Sequence, residues 1–524
     1  MHTRLIDALR RPDAYPHAVD DVDLIETHIS WVLLAGEFVY KIKKPLDLGF
    51  LDFSTLDKRR FYCEEEIRLN RRTAPAIYLD APAICGAPES PSFERDGDPI
   101  EYAVRMRRFD VDAGFDHLLA DGRLEADHVL DLGRRLARLH RIADIASPDR
   151  DFGNFASVAD PMHDNFRVLG RMLDGEPTAR QLNALRKWTE SRLEQLRPLI
   201  ERRRRDGWIR ECHGDAHLGN VALIDGRATL FDCIEFSEDL RWIDVVSDLA
   251  FTVMDLRDRG APGYAWLLLD EYLACSGDYQ GIELLPIYMV YRALVRAKVN
   301  AFRLDDDDAD RAGVLTEIDG YLSLAERISG ERRPAVVITM GVSGSGKSWL
   351  ARRLVERAGL VRMRTDIERK RIHGLDPEDS SDSGIGADLY SAEATERTYH
   401  HMVELAEPLL RAGIPALIDA TCLEKWQRRL FRDLASECEV PFAIVHCRAD
   451  QAVLEQRIEQ RDEAGDDPSE AGLEVLEHQQ QKMEPLDESE QADALIVDTA
   501  APDSTRRAAD WVTGMIDGPD GGRG

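Results

Sequence analysis

The sequence predicts two joined domains: an α+β domain over residues 1–330 and an α/β domain with a parallel sheet over residues 331–524. Three observations carry this. The chain has 524 residues, more than one compact core supports. From residue 335 short apolar strands alternate with helical stretches, the pattern of a parallel sheet covered on both faces. Before residue 330, strands come early and helices dominate later. The junction is placed at "ISGERRP" (328–334), where Gly, charges and Pro precede a new apolar strand.

In chain order, "HISWVLLAGEFVYKIKK" (28–44) reads as two strands around a tight "AGE" turn. "DKRRFYCEEEIRLNRR" (57–72) reads as a helix with a charged face, and "PIEYAVRMRRFD" (99–110) as a further strand. Residues 126–142 and 177–204 read as helices, and the "RRRR" run (202–205) as a solvated helix end. Residues 241–303 read as largely helical, and "LDDDDADRAG" (304–313) as a solvated acidic loop. Beyond the junction, strands are expected at "PALIDA" (415–420), "FAIVHC" (442–447) and "ALIVDT" (494–499). The tail "GPDGGRG" is expected to be disordered.

Hydrophobic residues make up 44% and charged residues 32%, the balance of a folded domain with a charged surface. No apolar run approaches the ~20 residues needed to span a bilayer. The N-terminus has no secretory h-region, so the cytoplasm is the expected compartment and no membrane partner is expected. The eight Cys form no CxxC pair, which argues for buried, reduced thiols over disulfides or a zinc site. The net charge is −30, with 24 basic against 38 acidic residues in 331–524. Both halves are acidic, which excludes a broad nucleic-acid footprint.

"GVSGSGKS" (341–348) matches GxxxxGK[ST] in full, between an expected strand and an expected helix. Such a loop turns backbone N–H groups onto phosphate oxygens at a helix N-terminus. Gly341, Ser343, Gly344, Ser345 and Gly346 form the cradle. Lys347 is placed to reach the β/γ-phosphates and Ser348 to ligate Mg²⁺. "MRTDIERKR" (363–371) sets Asp366 three residues before Arg369. "ALIDAT" puts Asp419 at a strand end as a metal-side carboxylate. "LEQRIEQRDE" puts Arg457 and Arg461 one helical turn apart, where a lid could close both on transferring phosphates. "DPEDSSDSGIGADLYS" (376–391) reads as a mobile acidic substrate loop.

"HGDAHLGN" (213–220) has the form H-x-D-x-x-x-x-N. Phosphoryl transfer needs a carboxylate at the acceptor hydroxyl and a metal ligand at a set distance. Asp215 and Asn220 can supply both, and Asp232 in "LFDCIEF" a second oxygen ligand for Mg²⁺. A zinc site from His213, Asp215 and His217 is geometrically awkward and lacks a completing Cys or carboxylate. The two His are read as shaping the loop, and His140 as a packed or surface His.

On these residues, positions 25–300 resemble the aminoglycoside-phosphotransferase and choline-kinase-like branch of the protein-kinase fold. The resemblance implies a bilobal α+β domain, with Asp215 catalytic and Asn220 and Asp232 on the metal. It also implies a phosphate-binding Lys in "VYKIKK". Lys41 and Lys43 lie on one strand face; Lys41 is preferred. Glu66 is preferred over Glu65 as its partner, and "YAVRMRRFD" resembles the hinge that receives adenine. There is no Gly-rich loop between the first strands and no A-P-E segment, which points to a small-molecule phosphotransferase. Residues 334–500 resemble P-loop kinases, including polynucleotide 5′-kinases, zeta-toxin-like and gluconate-kinase-like enzymes. By that resemblance Asp366 is the base on the acceptor hydroxyl and Arg369 helps hold the acceptor.

The whole chain resembles bacterial bifunctional phosphotransferase/ATP-binding proteins. That implies ATP and Mg²⁺ at two sites, each phosphorylating a hydroxyl of a small molecule or nucleotide-type acceptor. The alternative is a polynucleotide 5′-hydroxyl kinase in the C-terminal domain, with the N-terminal domain as a regulatory or substrate-binding module. A nucleic-acid partner enters only through that domain.

Overall fold

The computed structural model describes residues 2–49, 51–94, 97–174, 178–305, 310–330, 332–375, 391–464 and 473–517. The acidic run at 306–309, the substrate loop at 376–390 and the tail at 518–524 therefore lie outside the described residues.

The chain forms two compact units, residues 1–161 with 197–252 and residues 162–196 with 253–524. The strands of the first unit are β1 (Val22–Glu26), β2 (Ser30–Ala35), β3 (Phe38–Lys43), β4 (Tyr78–Asp80), β5 (Ala83–Ala87), β6 (Ser90–Ser92), β7 (Pro99–Tyr102), β8 (Val104–Arg107), β9 (Ile209–Glu211), β10 (Val221–Ile224), β11 (Arg227–Leu230) and β12 (Trp242–Asp244). Those of the second are β13 (Val336–Met340), β14 (Val361–Arg364), β15 (Ala416–Asp419), β16 (Phe442–Arg448) and β17 (Ala494–Asp498).

In the first unit an antiparallel sheet runs β1-β2-β3-β8-β4. The two residues Gly36 and Glu37 join β2 to β3, so the turn is as tight as the sequence implies and leaves no room for a glycine-rich flap. The helix Leu56–Asn70 follows, its N-terminus capped by Thr55, which accepts from the Lys58 amide. Residues 99–110 differ from the expected single strand. The ladder breaks at Ala103, which is fully buried and donates to Pro82 O at 3.1 Å. There β7 pairs with β5 in a separate three-stranded sheet, while β8 pairs with β3 and β4.

The expected solvated Arg run is a second correction. Arg202 and Arg205 are exposed, but Arg203 is buried and forks onto Asp244 at 2.7 and 2.9 Å. A buried guanidinium needs such a bidentate partner. Six of the eight cysteines are buried free thiols; Cys275 is half-buried and Cys438 is exposed.

The second unit holds a wholly parallel sheet in the order β14-β15-β13-β16-β17. Its apolar strands are buried along β13 and β15, as a two-sided cover requires. The backbone is irregular over residues 332–335, just before β13. The helix Pro262–Ser276 nevertheless packs with the sheet that follows it. Asp270 reaches the Arg362 amide at 2.8 Å, and Trp266 lies against Gly359.

Candidate active sites

The first site is built from four backbone elements of the first unit. On β3, Lys41 and Lys43 share a face. Lys41 Nζ donates to Glu66 Oε1 at 2.9 Å and to Asp232 Oδ1 at 2.6 Å. Lys43 is fully buried; it donates to Glu66 Oε2 at 2.7 Å and also pairs with Glu235. Glu66, from the helix Leu56–Asn70, thus sits between two ammonium groups. Glu65 points elsewhere, to Arg68 and Arg241.

Burial opposes the charge on Glu66, but the two lysines outweigh it and hold its carboxyl down at about 2. Burial likewise opposes the charge on Lys41, yet Asp232, Glu66 and Glu235 keep its ammonium well above the ordinary range. Glu235 goes the other way: its burial outweighs Lys43 and raises its carboxyl.

The Asp232 segment is pinned from the sheet side. The Asp232 amide donates to Tyr78 Oη at 3.0 Å and the Cys233 amide to Asn70 Oδ1 at 2.9 Å. Asp232 itself adopts φ +61°, a left-handed conformation rare for a non-glycine residue and held here by those two bonds. The 213–220 loop lies alongside. The Phe231 amide donates to Asn220 O, the Ile234 amide to His213 O, and a His213 ring nitrogen meets Phe231 O at 2.9 Å. Within the loop, Asn220 Nδ2 donates to Asp215 Oδ2 at 3.0 Å. Tertiary contacts thus bring Asp215, Asn220, Asp232, Lys41 and Glu66 into one neighbourhood. In the expected hinge, Phe109 meets Phe231 edge-on at 5.2 Å.

Asp248 and Glu235 carry no motif, and sequence reasoning missed them; His140 is packed, one of the two readings it was given, and Lys43, the alternative to Lys41, is the buried lysine of the pair. Asp248 accepts the His213 and Gly214 amides at 2.9 and 2.8 Å and a His140 ring nitrogen at 3.1 Å. It anchors the start of the loop. Gly214 is required there: φ is +87°, and a Cβ would stand 2.8 Å from Leu240 O. His140, Cys212 and Asp248 cluster within 4.8 Å. The Asp248 carboxylate is already spent on three donors, and the Cys212 thiol donates to Ile243 O at 3.5 Å. The cluster acts as an anchor for the loop. His217 shapes the loop as expected, accepting from the Gly219 amide at 3.1 Å.

The second site lies at the C-terminal ends of β13, β14 and β15, where an open parallel sheet receives ligands. The loop 341–346 leads into the helix Lys347–Ala358. Gly344 has φ +77°, and a Cβ there would stand 2.6 Å from Leu454 O, so only glycine fits. Lys347 Nζ reaches back to Val342 O at 2.9 Å. Asp419 ends β15 opposite Arg364 on β14. It is buried; its Oδ2 accepts no hydrogen bond among the described residues, with Arg362 Nη1 and Arg364 Nε standing 3.8 and 3.9 Å away. A buried carboxylate oxygen left over in this way fits a cation or its water shell. Ser348 is on the first turn of the adjoining helix. Asp366 lies in the first turn of the helix Thr365–Ile372, with Arg369 Nη1 3.4 Å from its Oδ1.

Arg457 differs from a residue waiting in an open lid. Its guanidinium donates to Gly344 O at 3.2 Å, Thr499 Oγ1 at 2.8 Å and Thr499 O at 3.4 Å. It clasps the phosphate loop from behind. Arg461 lies on the same helix, Gln451–Ala464, and its side chain is outside the described residues. Gln479, unremarked in the sequence, accepts from the Ser343 amide at 2.7 Å.

Fold and geometry together define a chain with two kinase-like domains. Residues 63–285 match the model described as the phosphotransferase enzyme family, and residues 336–486 match one described as an AAA domain. The chain is an ATP-dependent phosphotransferase of the kinase class. It is 29% identical over 448 residues to "Uncharacterized protein Rv2004c" of Mycobacterium tuberculosis and to "Uncharacterized protein Mb2027c" of Mycobacterium bovis, covering 85% of this chain and 88% of each relative. Similar solved structures include a choline/ethanolamine kinase family protein from Mesorhizobium loti, at 14% identity over 62% of this chain and 95% of that one, TM-score 0.37. Another is a gluconokinase from Sinorhizobium meliloti, at 20% identity over 36% of this chain and 93% of that one, TM-score 0.25. Among the described residues no helix is long and apolar enough to cross a membrane.

Proposed function

We propose that this chain holds two ATP/Mg²⁺ sites, each moving a γ-phosphoryl group to a hydroxyl of a small-molecule or nucleotide-type acceptor. The observation that carries the reading is the convergence of Lys41, Glu66 and Asp232, drawn from strand, helix and loop. A lysine oriented by a glutamate is a phosphate-binding device, and the carboxylate beside it suits a cation.

In the first site Asp215 accepts the proton of the acceptor hydroxyl, and Asn220 and Asp232 would hold the metal. In the second, the loop amides and Lys347 bind the β- and γ-phosphates, Asp366 accepts the acceptor proton and Arg369 orients that acceptor. Ser348 and Asp419 would hold the metal there. When bound, Mg²⁺ neutralises the oxygens between which the phosphoryl group passes. The protein's own contribution in each site is positioning and fixed charge.

The test is a γ-labelled ATP screen of the full chain against metabolite, aminoglycoside and 5′-hydroxyl oligonucleotide pools. Asp215→Ala and Asp366→Ala should each abolish one labelled product and spare the other. Loss of every product in both variants would show one coupled site instead. Label on the oligonucleotide pool, lost in Asp366→Ala, would select the polynucleotide-kinase alternative.

A further inference from the structure

Arg362, in the middle of β14, is a buried cation beside the second site's metal-side groups. Its Nη1 donates to Ser348 O at 3.4 Å and stands 3.8 Å from Asp419 Oδ2. Left there alone, it would be the natural partner of that carboxylate and a rival to any divalent cation. It is not alone. Asp270, in the middle of the helix Pro262–Ser276, is 1% exposed. It accepts from Arg362 Nη2 at 3.1 Å and from the Arg362 backbone amide at 2.8 Å. The same helix meets the acceptor-side helix Thr365–Ile372, where Arg371 bridges Glu368 and Ala274 O.

We infer that Asp270, which lies before the boundary drawn from the sequence and outside the P-loop motif, is a positioning residue of the C-terminal site: it holds and neutralises Arg362, so that Asp419 stays available to a cation. The inference rests on the proposed role of Asp419. Two carboxylates flank one guanidinium. Asp270, hydrogen-bonded to both the guanidinium and the backbone amide of Arg362, keeps it; Asp419 Oδ2, 3.8 Å from Arg362 Nη1 and 3.9 Å from Arg364 Nε, accepts no hydrogen bond among the described residues. Removing the Asp270 charge leaves Arg362 with Asp419 as the nearer remaining counterion, and a buried cation without a partner takes the nearest one. The working body of the second site therefore includes residues 262–276, and a fragment starting at 331 lacks this device.

The test is Mn²⁺ binding to the full chain with a non-hydrolysable ATP analogue, followed by electron paramagnetic resonance. A D232N background removes the first site's contribution. D270N keeps the shape and an oxygen acceptor, and should weaken Mn²⁺ binding at the second site by about fivefold or more. D270N/R362M, which removes both charges, should restore the affinity to within about twofold. R362M alone should bind Mn²⁺ at least as tightly as its parent. Unchanged binding in D270N, a double variant as weak as D270N, or weakened binding in R362M would each overturn the inference. D419N separates the two layers. If it leaves Mn²⁺ binding unchanged, the assignment of Asp419 fails, and the role of Asp270 fails with it. If D419N loses the ion and D270N does not, only the role of Asp270 fails.

Discussion

Lys41 and Asp232 form an ion pair at 2.6 Å across 191 residues of sequence. Lys43, two residues on, turns its ammonium to Glu66 and Glu235 and is fully buried. The two lysines therefore separate into a site-facing and a structural one. Lys41→Met should abolish first-site ATP binding and cost less stability than Lys43→Met, because the buried Glu66 keeps Lys43 as a partner. Lys43→Met leaves two buried carboxylates short of a partner and should destabilise the first unit by about 3–5 kcal/mol in urea unfolding. A Lys43→Met protein of unchanged stability that has lost first-site phosphorylation would reverse the assignment.

Asp248 ties the His213 and Gly214 amides to His140. Asp248→Asn keeps the size but loses the charge on which three donors converge. We expect a loss of about 2–4 kcal/mol, with a fall in first-site kcat because the loop carrying Asp215 is freed. Second-site phosphorylation measured on the same sample is the control for general unfolding.

Gly344→Ala places a Cβ in a left-handed conformation against the Leu454 carbonyl. The conformation alone costs about 1–2 kcal/mol, so nucleotide affinity at the second site should drop roughly tenfold or more. Arg457→Ala removes the clasp on Gly344 O and Thr499 and should raise the nucleotide Kd as well as lower kcat. A change in kcat alone would show that Arg457 acts only as a lid residue on the transferring phosphate.

His446 on β16 supplies a pH dependence. Burial, aided by Arg448 and Arg428, lowers its imidazole from 6.5 to about 4, and a ring nitrogen lies 3.3 Å from Arg448 Nε, which needs it as a neutral acceptor. Because the folded value is the lower one, the unfolded chain binds the proton first. The second unit should therefore lose stability as pH falls from about 6.5 to about 4, by up to about 3 kcal/mol. His446→Gln should flatten that part of the stability profile; an unchanged profile would place the acid sensitivity elsewhere.

Much of the two sites was legible in short-range sequence. The phosphate loop, the Asp366/Arg369 pair and the H-x-D-x-x-x-x-N loop are local, because backbone conformation and side-chain spacing within ten residues define them. Lys41 and Lys43 could not be separated locally, since alternation along a strand puts both on one face. The break at Ala103 was also hidden: "PIEYAVRMRR" is continuously strand-like, and only the competing pairings of two sheets divide it. Arg203 read as solvated because its partner Asp244 is 41 residues away.

By itself the sequence determined that this chain holds two kinase-like domains and which oxygen-bearing residues are candidates in each. Glycine geometry, strand periodicity and helix spacing are properties of a few consecutive residues and need no knowledge of the rest of the chain. Tertiary structure alone decided which lysine faces Asp232, what anchors the 213–220 loop, and that the helix Pro262–Ser276 packs with the sheet that follows it. Those outcomes depend on buried charges finding partners far away in sequence. The cost of leaving a buried ion unpaired is met only once the chain has closed.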